Sequence, residues 1–131
     1  MAEWQPRAGA TLLMPSGIDG KHLFVVLNDP KTFPGYGGNP HVVLVNLSTI
    51  PANLKHDATC EVQAGCHPFV KSPSYAFYRG ARIEPVAHVL KLVQQGVFRP
   101  QDPILSEILA GIRDGLKNSP FTKQEFKLLA I

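Results

Sequence analysis

The chain predicts an α+β fold, a small closed β-barrel of about five to seven strands over residues 9–84 followed by two or three C-terminal helices. Two observations predict it. Hydrophobic periodicity changes near Pro85 from short apolar runs to spacings of three and four. The runs before that point are brief and punctuated by Pro, Gly, Asn and Asp, and five short strands suit a closed barrel better than an open sheet. At 131 residues the whole chain, 1–131, has the size of one domain, with a barrel part (1–84) and a helical part (85–131) around a core that needs neither disulfide nor metal.

The strand candidates are Ala10–Met14, the segment His22–Pro30, His41–Thr49, Cys60–Ala64 and Ser74–Ile83. In Leu23–Leu27 both alternating faces are apolar, which predicts a strand in the middle of the core. His22–Pro30 and His41–Thr49 share one shape, a histidine, an apolar run and a polar stop, so the question they raise is whether the polar ends form a reaction site. Between them runs a twelve-residue, glycine-rich loop, Asp29–Pro40, carrying Phe33 and Tyr36. Loops of this length are either functional or disordered. Its glycine spacing is not that of a phosphate-binding fingerprint, and no helix follows it.

After Pro85, Val86, Val89, Leu90 and Val93 lie on one helical face, His88 faces away, and Gly96 is the natural C-terminal stop. The next helix is expected to start with Asp102 as N-cap and Pro103 at the first helical position, with Leu105, Leu109, Ile112 and Leu116 on the core side and Gly111 and Gly115 weakening it. For the last helix, Thr122 and Glu125 spell a capping box and Phe121 and Phe126 a hydrophobic staple, so it should dock on its own barrel or on a second subunit.

A net charge of +3 and a pI near 9.0 bias encounters toward anions, but the positive residues are scattered and form no polybasic arm. No signal-peptide pattern and no apolar run of membrane-spanning length is seen, so a cytoplasmic protein with no membrane partner is expected. Cys60 and Cys66 then read as ordinary cytosolic thiols.

The segments Lys21–Pro30, His41–Ile50 and His67–Ile83, taken in order, resemble the PemK/MazF family of toxin-like proteins. The resemblance spans about residues 9–84. It implies an SH3-like β-barrel with helices, usually dimeric, in a family where many members are endoribonucleases. The family's opening Arg-Pro strand is matched by His22 and Leu23 followed by Phe24–Asn28. Its Pro-Ile-Thr-Ser strand is matched by Asn46–Thr49, and its Ser-Tyr-Val strand with an Arg-Thr-Ile turn by Ser74–Ala76 and Arg82–Ile83. The family's catalytic arginine falls on His22, its hydroxyl residue on Ser48, and the acidic residue some members use near Arg79. The implied partners are single-stranded RNA, an antitoxin protein and a second copy of the chain, with no cofactor.

RNA cleavage without metal needs a base for the 2′-hydroxyl proton, an acid for the leaving oxygen and cations for the charge on phosphate. His22 suits the proton work, and the catalytic candidates are therefore His22, Ser48 and Arg79, with Arg82, Thr49 and Tyr36 as substrate-binding candidates. In one strand Arg79 and Arg82 would face opposite ways unless Gly80 makes a bulge. Trp4, Tyr75 and Phe77 could stack on bases or lie in the core. The alternative reading of His22 and His41 is as strand-end residues with one nitrogen in water and the other bonded to backbone. His56, Cys60, Cys66 and His67 have zinc-ligand chemistry without zinc-ligand spacing, so no metal site is expected. The alternative function is a non-catalytic barrel module that binds a protein partner through the 29–40 loop and the C-terminal helices.

Overall fold

The computed structural model describes residues 3–16 and 20–131. It holds strands β1 (Thr11–Pro15), β2 (Lys21–Val26), β3 (His41–Thr49), β4 (Glu61–Val62) and β5 (Ser74–Ala76), a 3₁₀ turn (Tyr78–Gly80), and β6 (Arg82–Pro85). Then follow α1 (Val86–Gln94), β7 (Arg99–Gln101), α2 (Ser106–Asn118) and α3 (Gln124–Lys127). The α+β class is as expected. The strands form an open antiparallel sheet in the order β4-β5-β3-β2-β1-β7, with β6 also on β3. The β1–β2 connection includes residues 17–19, which lie outside the described ones.

Strand alternation sorts the apolar residues of β2 and β3 onto two faces, and both are buried. Leu23, Val25, Val43, Val45 and Leu47 point to one face, where Tyr78, Ile112 and Leu116 of α2, Phe126 of α3 and Leu129 cover them. Phe24, Val26, Val42 and Leu44 point to the other with Leu12 and Met14 of β1, under Val89 of α1 and Phe98. Each fully buried aliphatic side chain is worth about 1.5–3 kcal/mol relative to exposure.

Ser74–Ile83 is not one strand. β5 pairs with the Leu47–Thr49 end of β3 and β6 with its His41–Leu44 end, so both lie along one edge with the 3₁₀ turn between them. A continuous strand would set Arg79 opposite Leu44; three inserted residues give that position to Arg82. The cause is Tyr78, which leaves the sheet edge to plug into α2 and donates its hydroxyl to the Ile112 carbonyl at 2.8 Å. Burial, with Cys60 beside it, pushes the phenol far above its ordinary value and keeps it a donor. Gly115 provides the room, because a methyl there would sit 2.0 Å from the Tyr78 oxygen. The glycine expected only to weaken α2 is therefore a packing residue.

α1 ends as expected: Gly96 has φ +75°, its N–H donates to Val93, and Val97 N–H donates to Leu92, a Schellman stop. Its inner face uses Leu92 where Leu90 was expected. α2 begins three residues after its expected start. Residues Arg99–Gln101 first form β7 on β1, an edge position where Pro100 is tolerated. Asp102 is consequently no N-cap, and Leu105 is 51% exposed. The capping box also fails. α3 starts at Gln124, Thr122 Oγ1 is buried with no partner among the described residues, and Ser119 Oγ instead accepts from Phe121 N–H while donating to Asp57. Phe121 points outward under the Arg79 guanidinium, so no staple forms, yet Phe126 and Leu129 dock the terminal segment on its own sheet.

Gly115→Ala is expected to lower stability by about 1–3 kcal/mol, because the fully buried Tyr78 cannot retreat. The substitution is opposed by an alanine helix preference of about 1 kcal/mol. Adding Tyr78→Phe removes the nearest clashing atom, so urea unfolding of the double variant should show a smaller loss than the two single losses added. A more stable Gly115→Ala protein would refute this packing role.

Candidate functional site

The second sheet face is covered by α1 over its Val42–Leu44 half, and beyond that cover it carries polar groups. On β2, His22 lies two residues before Phe24 and so shares its face. On β3, Asn46 stands opposite Phe24, Ser48 opposite Tyr75 of β5, and Leu44 opposite Arg82 of β6. Opposed Cβ atoms are about 4.5–5.5 Å apart and diagonal ones about 7–8 Å, within reach of long side chains. Arg82 uses that reach: its guanidinium lies over the Phe24 ring, 4.9 Å from the centroid. The ring thus floors a cation on this face.

Asn46, 3% exposed, donates from Nδ2 to Ser48 Oγ at 2.9 Å. Because the serine oxygen is the acceptor there, its own hydrogen is free to donate outward. His22 is half-buried, and its Nδ1 lies out of contact with solvent and without a hydrogen-bond partner among the described residues. At this end of the sheet opens a hollow of about 380 Å³ whose lining includes Lys21, His22, Ser48, Thr49 and Lys71 and, among the described residues, no carboxylate. An imidazole, a hydroxyl and two ammonium groups therefore line this hollow at one end of the β2–β3 ladder, and the Arg82 guanidinium over Phe24 lies farther along the same sheet face, a set suited to a phosphate and to proton transfer beside it.

Arg79 is not in this set. It lines a neighbouring groove with Lys55, His56, Tyr75, Phe77 and Phe121, because the 3₁₀ turn carries it off the strand. Thr49 lines the hollow but faces away from Ser48 by strand alternation. Tyr36 is remote. Its ring packs at a tilt against His41, which lies at the opposite end of β3 from Ser48, about 23 Å along the strand at the usual rise. Its hydroxyl donates to Glu125 Oε2 at 3.4 Å, and Lys31 Nζ donates to the Ala130 carbonyl, so the 29–40 loop and the terminal segment hold each other. With Phe33 buried, that loop is an ordered strap rather than a free arm.

The other histidines and the cysteines have local partners. His41 Nδ1 meets the Asn39 carbonyl at 2.8 Å, and His56 pairs with Glu61. His67 is buried: Phe69 N–H donates to its Nδ1 at 3.0 Å, which makes Nε2 the protonated nitrogen, donating to the Asp102 carbonyl at 2.7 Å. Thr11 Oγ1 donates to the same carbonyl. Burial raises both the Cys60 and Cys66 thiols, disfavouring the thiolate a nucleophile needs. Trp4 packs at the rim of the second core and donates Nε1–H to the Thr11 carbonyl.

Asn46, Lys21 and Lys71 were not singled out from the sequence. For Asn46 a signal existed, a lone amide inside the apolar run of β3 two residues before a serine, which period-2 alternation puts on the serine's face. For the lysines there was none. Comparisons with protein-family models, with curated proteins and with solved structures gave no match.

His67→Leu keeps the buried volume but strands Phe69 N–H and weakens the β1–β7 junction, and denaturant titration should show a loss of roughly 1–3 kcal/mol. Unchanged stability would mean that this histidine clips nothing together.

Proposed function

We propose that the chain is an SH3-like barrel protein of the PemK/MazF type that cuts single-stranded RNA without a metal ion. The observation that carries this reading is the grouping of His22, Ser48 and Arg82 on one sheet face, beside a hollow whose lining includes two lysines. Barrel closure is supported by the way β3 divides one edge between β5 and β6 with three residues inserted, an irregularity that bends a sheet toward itself.

In this mechanism a phosphodiester sits at the end of the β2–β3 ladder. His22 takes the proton from the ribose 2′-hydroxyl, whose oxygen attacks the adjacent phosphorus; the bond to the 5′-oxygen breaks, and that oxygen takes a proton from the imidazolium or from water. The products are a 2′,3′-cyclic phosphate and a free 5′-hydroxyl. Ser48, its oxygen steadied by Asn46, donates to a phosphoryl oxygen. Arg82 neutralises the charge that builds there, and Lys21 and Lys71 draw the strand in. Arg82 replaces Arg79 in the role of phosphate clamp.

Purified protein incubated with end-labelled single-stranded RNA in EDTA is expected to yield fragments with cyclic phosphate ends. His22→Ala should slow cleavage by about 100- to 10,000-fold and Arg82→Ala by about 100- to 1,000-fold, with circular dichroism unchanged. Expression of the wild type in bacteria should arrest growth, and His22→Ala should relieve the arrest. RNA left intact by the wild-type protein would end this reading.

A further inference from the structure

The groove next to this face has the makings of a second site. About 190 Å³ in volume, it takes one planar ring system and not a helix. Tyr75 and Phe77 stand edge to face, centroids 6.3 Å apart, and His56 lies against Tyr75 at 5.0 Å. Across from them Arg79 stacks on Phe121, its Cζ 4.8 Å from the ring centroid. Tyr75, Phe77 and Phe121 belong to neither buried cluster, although aromatics on a barrel strand are ordinarily core.

The charges favour an anionic strand. Lys55 and Arg79 contribute positive charge. Asp57, the carboxylate of the lining, is turned to structural use: Ser119 and Thr59 donate to it. Burial pushes its carboxyl up, and those bonds outweigh burial and hold it below its ordinary value. The wall is also preset. Phe77 N–H donates to the Asn46 carbonyl at 2.9 Å, and its ring lies against Gly80, where an added methyl would come within 2.7 Å.

Resting on the reading above, we infer that this groove receives one nucleobase of the bound RNA strand, the base next to the phosphate held by Ser48 and Arg82. Continuity supports the occupant: Tyr75 is the direct register partner of Ser48, so a strand whose phosphate reaches the hydroxyl passes over the tyrosine ring. Unpaired bases are commonly held by aromatic faces and guanidinium planes, the two surfaces this groove offers.

The test separates binding from cleavage by using a fluorescein-labelled, 2′-O-methyl single-stranded RNA, which lacks the attacking hydroxyl, read by fluorescence anisotropy. Tyr75→Leu and the exposed-site variant Phe121→Ala are each expected to weaken binding about 5- to 100-fold. An oligonucleotide with one abasic position, walked along the strand, should at a single position bind wild type and variants alike. If the wild type cuts ordinary RNA while both variants bind the methylated strand as the wild type does, the groove inference falls and the nuclease reading stands. If nothing is cut but binding depends on Tyr75 and Phe121, the nuclease reading falls and the groove remains a base site. Absence of measurable binding by the wild type overturns the groove inference.

Discussion

Burial of β2 and β3 on both faces is the constraint on which the rest depends. A strand apolar on one face carries its own register, because a one-residue slip would drive its core side into water. A strand apolar on both faces does not, since Leu23–Leu27 would bury about as much after a slip as before. Asn28 supplies what the pattern lacks. Its Oδ1 accepts from Val43 N–H at 2.7 Å and its Nδ2 donates to the His41 carbonyl at 3.3 Å, so one buried amide holds the end of β2 to the start of β3. With Leu27 N–H on the Val43 carbonyl at 2.8 Å, this pin sets which residues oppose one another along the ladder. It therefore also decides that His22 and Ser48 come out on the same face. Polar residues at one end of these strands fix the register; those at the other end line the hollow.

Much of this architecture was legible because it rests on local chemistry. Apolar runs bounded by Asn-Asp-Pro or Ser-Thr located β2 and β3, and a glycine after an amphipathic run located the end of α1. What failed was decided by distant partners. Asp102-Pro103 has the local form of a helix start, but pairing of Arg99–Gln101 with β1 and the demand of His67 and Thr11 on the Asp102 carbonyl keep the chain extended there. Thr122 and Glu125 have the local form of a capping box, but Ser119 and Asp57, 62 positions apart, organise that corner instead. No window of sequence contains both members of such a pair.

The candidate site divides along the same line. His22 and Ser48 were readable from strand ends, whereas the choice between Arg79 and Arg82 was not, because it turns on where Tyr78 finds its cavity. That cavity is made by Gly115, more than thirty residues away. A glycine in a helix looked like a loss of propensity, and only the ring packed against it shows it to be a gain in packing. The amide at Asn46 could have been read, since an asparagine amid valines and leucines is costly to bury without a partner. Its partner, Ser48, was already in view.

The 3₁₀ turn joins stability to chemistry. Tyr78 leaves the sheet edge for the core, and in doing so it adds three residues to that edge. Arg82 thereby enters the register position opposite Leu44 and lies over Phe24, while Arg79, which a continuous strand would have placed there, stacks on Phe121 in the groove. Two guanidiniums that an unbroken strand would have aimed to opposite faces instead stand over neighbouring hollows. One lies over Phe24 on the sheet face that carries Ser48 and the other lines the groove with Tyr75, and Ser48 and Tyr75 are direct partners across β3 and β5. A substitution that drove Tyr78 out of its cavity should therefore disturb both guanidiniums at once, whereas changes at α1 or its Schellman stop should leave them where they are.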